Sequence, residues 1–556
     1  MLRLAPAVTL AAFLLPIGAG LIGTILPAFG FLPALGRSAF SLAPWRELFA
    51  TPGLATTLRL TVTVGFGATL ISAILAAGFC ALTFQHPWLR RLERSLPPLL
   101  ATPHVALAIG FAFLIAPSGW IVRVLSPELS GWDRPPDLAT VRDPHGLSFM
   151  AGLVLKEAPY LVLMTIGATG QIAARPMMAA ARAMGYAGPT AWAKVVLPQV
   201  YRQVRLPIYA VLAFSLSVVE VGLVLAPGHP PPLSVLLARW FAGSDLDLYF
   251  PAAAGAVLQL LVVVAGIAVW RLAELAIVAA GRDWLADGGR RGATGLLLSA
   301  AGWTAIASGV ASLASACVLV LWSFAGTWRF PDDLPSEWTL SNWGRLASLD
   351  GPTLATIVIG LGSSSVAVAL ALACLENETR RGLRPGAGLL WLLYLPLLVP
   401  PIAFLFGVQV LLVRMGLDAT LLAVAWAHLL FVLPYVFLSL ADPYRALDPR
   451  YSRIAAGLGV RPWQVFFRVK LPILLRPLLV AFAVGFAVSV GQYLPTVFAG
   501  AGRVSTLTTE AVTLSSGADR RIVGVATVVQ TALPLLVYGL ALAVPALLSR
   551  GRRGLP

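Results

Sequence analysis

Long apolar segments punctuated by short charged ones run the length of the chain. A helix needs about 20 predominantly apolar residues to cross the hydrocarbon core of a bilayer. Segments of that kind fall near 6–28, 56–84, 96–116, 148–170, 206–227 and 250–271, and again near 300–325, 353–375, 388–413, 419–441, 477–499 and 522–548. Gly and Pro inside them do not argue against helix, because neighbouring spans re-satisfy the backbone. The pattern predicts an all-α polytopic membrane protein of about twelve transmembrane helices in two sets of six. The first stretch, Leu4 to Leu32, is longer than the roughly 7–15 residues of a signal-peptide core and lacks a cleavage site, so it reads as the first span.

Composition supports the bilayer as solvent. The chain is 58% hydrophobic and 12% charged, against about 25% charged in soluble domains. Its net charge of +16 would suit a nucleic-acid surface, but the distribution is a topology signal. With the N-terminus inside, the inside segments hold 26 of the 40 Lys/Arg and the outside loops 12, with Arg59 and Lys156 inside spans. The tail arginines Arg550, Arg552 and Arg553 put the C-terminus inside too. Nucleic acid is therefore not an expected partner. Cys80, Cys317 and Cys374 lie in apolar segments without metal-ligand spacing and read as small buried hydrophobes. Five scattered His supply no catalytic or metal cluster, and no GxxxxGK[ST] loop is present, so any ATP would be bound by another chain.

The two sixes repeat one motif. AAARAMGYAGPTAWAKVVLP ends at Pro198 and SRIAAGLGVRPWQVFFRVKLP at Pro472. In each, a Gly (Gly185, Gly459) precedes the Pro of a Leu-Pro pair (Leu197-Pro198, Leu471-Pro472) by thirteen residues. Both loops, 171–205 and 442–476, fall on the inside in the charge-derived orientation. Ala158-Pro159-Tyr160 matches Leu433-Pro434-Tyr435, Pro103 and Gly110 match Pro400 and Gly407, and Ser217-x-x-Glu220 matches Ser489-x-x-Gln492. Such a duplication predicts parallel domains at 1–290 and 291–556. Helix-forming residues ending at a Gly free to take φ > 0 predict a short helix, a reversal and a second helix entering the next span. Helix punctuation alone would explain one copy. Two copies at identical spacing on one side favour a docking surface used twice.

The repeated loop resembles the EAA loop of binding-protein-dependent ABC importer permeases, roughly E-A-A-x-x-x-G with the Pro of L-P thirteen residues further on. The resemblance covers both halves of the chain and implies two six-helix permease domains in one polypeptide. It implies coupling-loop roles for Ala179, Ala180, Ala181, Gly185, Leu197 and Pro198, and for Arg453, Ile454, Ala455, Gly459, Leu471 and Pro472. The family Glu is replaced by Ala179 and by Arg453, which makes the two copies non-equivalent. The implied partners are two cytoplasmic ATP-binding cassette subunits, which use the ATP, and a periplasmic or extracytoplasmic solute-binding protein. The implied location is the bacterial inner membrane. Fusion of two permease domains resembles the iron(III)- and thiamine-type branch, which makes thiamine, iron(III) or a similar small solute the expected cargo.

A carboxylate within a span is costly and usually faces a cavity or a partner. Glu220 is such a group, its counterpart Gln492 is neutral, and Ser217 and Ser489 stand three residues earlier, on the same helical face. These four residues read either as a translocation-path lining or as a hydrogen-bonded clamp between the halves. Lys156 and Glu157 read as structural pairings, His104 as a packing or helix-start contact, and the outside loop 500–521 as a surface for the binding protein or a plain connection between two spans. The competing class is an ion-gradient-driven secondary transporter with six plus six helices. It shares the topology but leaves the repeated loops unexplained.

Overall fold

The computed structural model describes residues 2–290, 292–383, 386–517 and 519–548. Arg291, Arg384 and the tail arginines Arg550, Arg552 and Arg553 lie outside the described residues. Among the described residues the chain is helical, with two isolated β-bridges and no strands.

The first half holds α1 (Ala5–Ala28), α2 (Leu54–Gln85), α3 (His104–Ile115), α4 (Leu147–Gly170), α5 (Ala174–Ala183), α6 (Leu197–Ser217), α7 (Glu220–Leu225), α8 (Leu233–Ala242) and α9 (Tyr249–Ala286). The second half repeats the order with α10 (Ala293–Phe324), α11 (Asp350–Arg381), α12 (Ala387–Leu398), α13 (Ile402–Arg414), α14 (Leu421–Arg445), α15 (Pro449–Gly457), α16 (Leu475–Val490), α17 (Leu494–Gly500), α18 (Leu507–Ser515) and α19 (Arg520–Leu548). Nine helices among the described residues are long and apolar enough to cross a membrane, or eleven if each of two bent pairs is one span.

The difference from about twelve unbroken spans lies in broken helices, and the breaks come in corresponding pairs. The third span is interrupted before His104 and the ninth between Leu398 and Ile402, where the axis turns by 103°. Pro103 and the Pro400-Pro401 pair account for both, since proline lacks the N–H that would continue the ladder. The fifth span parts at Val218-Val219 and the eleventh between Val490 and Leu494. Polar side chains take up the carbonyls freed there, as membrane burial requires. Ser234 on α8 donates to Val218 O (2.8 Å) and Gln259 on α9 to Leu216 O (3.0 Å). In the second half Thr508 on α18 donates to Val490 O, and Gln530 donates to Thr508 (2.6 Å).

Loop 500–521 carries the helix α18. Leu507, Thr508, Ala511 and Val512 of α18 are buried against the break. The cysteine expectation needs one correction. Cys80 and Cys374 are buried, but Cys317 is exposed on α10.

The halves exchange their first helices. α1 packs on α13, and α10 packs on α2 and α3. The repeated glycines make the crossings. Gly407 meets Gly20 backbone to backbone, and a Cβ on Gly23 would lie 2.8 Å from Gly407 Cα. Gly110 likewise abuts the Ser315 carbonyl, and a Cβ on Gly302 would lie 2.7 Å from Gly78 O. Cross-half hydrogen bonds pin the exchange. Gly407 N donates to Thr24 Oγ1 (3.1 Å), Trp426 Nε1 to Ala12 O (3.0 Å) and Ser312 Oγ to Leu155 O (3.1 Å).

Candidate functional site

The repeated loops fold as one unit built twice. α5 is capped by Met184 and α15 by Leu458, and each cap is followed by a glycine with positive φ, +86° at Gly185 and +74° at Gly459. The hydrogen bonds match. Gly185 N donates to Arg182 O and Tyr186 N to Ala181 O, while Gly459 N donates to Ala456 O and Val460 N to Ala455 O. This is a helix stop with a left-handed residue, which glycine takes without strain. The chain then re-enters helix at Gly188 and at Pro462.

Both copies next form a π-helical turn, Trp192–Val196 and Phe466–Lys470, directly before Leu-Pro. The amide of Leu197 reaches back to Trp192 O and that of Leu471 to Phe466 O. A proline one residue on supplies no amide and crowds the carbonyl four residues back, so a widened turn relieves the clash. Sequence reading missed this turn, although Leu-Pro within a helical run is its signal. In the first copy helix continues from Gly188 to Ser217. In the second the helix bends by 77° between Ile473 and Leu475, where Pro477 stands in the first turn of α16.

Each loop is anchored to the C-terminal end of its half's long helix. Arg182 donates to Phe84 O (3.0 Å), at the end of α2. Arg380, at the end of α11, donates to Pro462 O (3.1 Å). A buried cluster reinforces the second anchor. Lys470 Nζ lies 2.7 Å from Glu376 Oε2, Arg380 Nε lies 2.7 Å from Glu376 Oε1, and the Tyr444 hydroxyl donates to the same carboxylate. Ala181 and Ala455 face inward, whereas Ala179, Ala180, Arg453, Ile454, Pro198 and Pro472 are exposed and Leu197 and Leu471 half-buried.

Between the halves the structure separates the four residues considered for the path. Ser217 ends α6 and Glu220 begins α7, so the break removes the shared helical face expected of them. Ser217 is buried and donates to Ala213 O (2.7 Å). Ser489 is buried within its own half, against His428 Nδ1 (2.8 Å) and Ser363 (3.3 Å). The other His428 nitrogen meets Thr496 Oγ1 at 2.9 Å, so this histidine bridges the broken eleventh span. It was not singled out from sequence, because an isolated His in an apolar run carries no spacing signal. Gln492 sits in the break itself, half-buried.

Glu220 keeps company from both halves. His104 of the first half and Tyr493 of the second lie within electrostatic reach of it. His104 Nε2 is 3.3 Å from Glu157 Oε1, and its ring lies 4.8 Å from that of Phe214. The repeated tyrosines also converge, since Tyr435, Glu157 and Tyr394 all lie within electrostatic reach of Tyr160. Lys156 lies within electrostatic reach of Glu157, but its hydrogen bonds go elsewhere. Its ammonium donates to Leu99 O, Leu100 O and Thr102 O at 2.6–3.2 Å, capping the helix end before the Pro103 break. The structural reading of Lys156 therefore holds.

The sequence is 32% identical over 525 residues to the Inner membrane ABC transporter permease protein YnjC of Escherichia coli (strain K12), covering 93% of each chain. The chain belongs to the binding-protein-dependent ABC importer permeases. The family described as "Binding-protein-dependent transport system inner membrane component" matches residues 365–550. A shorter match, 32% identical over 186 residues, covers 30% of this chain and 67% of the Molybdenum transport system permease protein ModB of Mycobacterium tuberculosis. This permease is thus a multi-pass inner-membrane transport protein. Its family works with ATPase and binding-protein partners.

Proposed function

We propose that this permease forms the solute path of an ATP-driven importer from two domains, 1–290 and 291–556, and couples to separate ATPase subunits through loops 171–205 and 442–476. The supporting observation is the duplicated unit of short helix, left-handed glycine, π turn and Leu-Pro. Each copy is braced on a long helix and leads directly into a broken helix between the halves. A partner that moves α5 or α15 moves α6 or α16, and with it the breaks beside Glu220 and Gln492. The two loops share the cytoplasmic side with both termini, and the solute-binding protein docks opposite. Hydrolysis of ATP belongs to the partners.

The residues between the halves support a cationic or neutral small solute, the class that includes thiamine and iron(III). Glu157 lies within electrostatic reach of Tyr160 and Tyr435, and Glu220 of Tyr493, while the ammonium of Lys156 is held by carbonyls. Molybdenum transport, in the name of one relative, remains that relative's function.

The test is affinity purification of the full chain in detergent from its native membrane. A stoichiometric ATP-binding cassette subunit, lost when Gly185 and Gly459 are both replaced by Val, is the expected result. A chain that purifies alone and transports in ATP-free vesicles under an ion gradient would replace this reading with a secondary transporter. Glu220→Gln in the reconstituted complex should change uptake or its selectivity. Unchanged uptake of every solute carried would remove Glu220 from the path.

A further inference from the structure

The two loops share a backbone but present different chemistry. Resting on the coupling reading above, we infer that the second loop is the dominant anchor for an ATPase subunit, through an exposed apolar patch with a basic rim, and that the first loop contributes the weaker contact. Tyr451 and Ile454 on α15 and Leu458 at its C-cap recur at helical spacing, so they form one stripe. Trp463 and Phe467, four residues apart in the next helical segment, form another. These five side chains are 52%, 63%, 78%, 53% and 60% exposed. Adjacent apolar groups this exposed mark an interaction site.

The first loop lacks the patch. The matching positions, 274 residues earlier, hold Met177, Ala180, Met184, Pro189 and Ala193. Pro189 and Ala193 are buried, and Met184 alone is a large apolar side chain more than half exposed. The segment joining the halves also lies along this loop. Ala187 N donates to Arg290 O (3.0 Å), Lys194 Nζ donates to Asp287 O (2.6 Å), and the same ammonium sits 4.9 Å from the Trp284 ring.

Position and charge select the occupant. The second loop is fixed to the end of α11, where Glu376, Glu378, Arg380 and Arg381 crowd together. α11 has 32 residues, about 48 Å of helix against a hydrocarbon core of about 30 Å. Its charged end therefore stands outside the hydrocarbon, and the patch faces a protein partner rather than acyl chains. Arg453, Arg461 and Arg468 are exposed around it. They would repel the arginine-rich tail and favour an apolar cleft with an acidic rim.

The experiment uses the reconstituted full chain and the ATP-binding cassette subunit that co-purifies with it, in a titration of Leu458→Asp, Trp463→Ala and Met184→Asp. Because Leu458, Trp463 and Met184 are exposed, folding is retained. The expected result is at least a tenfold loss of apparent affinity for the two second-loop variants and less than threefold for Met184→Asp. Equal losses at both loops would overturn the asymmetry while leaving the coupling reading intact. No loss at either would overturn both. As an independent readout, the Leu458→Cys variant should react with a membrane-impermeant maleimide until the ATPase is added. A thiol at that position already shielded by lipid, and unaffected by the ATPase, would assign the patch to the membrane surface and overturn the inference.

Discussion

Asp143 shows how one side chain sets where a span begins. It stands just before α4, and its carboxylate accepts from Leu147 N (2.8 Å), Ser148 N (2.8 Å) and the Ser148 hydroxyl (2.7 Å). Burial pushes the acid up, but the hydrogen bonds from Ser148, Leu147 and His145 outweigh it and hold the carboxyl below its ordinary value. A group whose folded pKa is depressed contributes stability above its unfolded value, near pH 4, and loses it as pH falls through the folded value. Asp143→Ala should lower stability in detergent by about 1 kcal/mol at neutral pH. Melts of the two proteins should converge as pH drops below about 4. A difference independent of pH would remove the charged cap as the cause. At Gly459 the argument is conformational. No atom lies within 4 Å of where a Cβ would stand, so Gly459→Val costs the left-handed conformation alone, about 1–2 kcal/mol. Insertion should be unchanged and melting should fall by no more than that cost, while ATPase stimulation by the permease falls. Normal stimulation would separate the glycine turn from coupling.

At the level of elements, helices break where the halves meet. A break within the membrane is tolerated only if its carbonyls find donors. Ser234 and Thr508, one in each half, do this for Val218 and Val490. Thr508→Val keeps the shape, removes the donor and also strips Gln530 of its acceptor. It should lower the detergent melting temperature by the equivalent of about 1 kcal/mol. Thr513→Val, on the exposed face of α18, should leave it unchanged. Equal melting of both variants would show that water satisfies Val490 O instead. The periodicity of apolar residues could not announce these breaks. Val218 and Val219 are neither Pro nor Gly and carry no local mark of a helix end, and the residues that satisfy the break lie 16 and 43 positions from the carbonyls they meet.

Across the molecule, the exchanged first helices bind the halves together. Gly407 touches the Gly20 backbone, so Gly407→Val must push α1 away from α13. About 1–3 kcal/mol of overpacking is expected, read as a lower melting temperature of the whole chain. Gly309→Val, which has open space around its Cβ, is the control. The helical membrane class, the duplication and the two glycine turns were legible in the residues alone, because they depend on hydropathy over about 20 residues and on local backbone preference. The same reading put Pro103, Gly110, Pro400 and Gly407 in register without saying what they touch. It took the folded chain to show that α1 belongs against α13, that Ser217 and Glu220 part company, that Lys156 caps a helix end and that the apolar patch lies on one loop alone. Those outcomes rest on contacts between residues tens to hundreds of positions apart, where packing and the need to satisfy buried polar groups govern and local pattern carries no information.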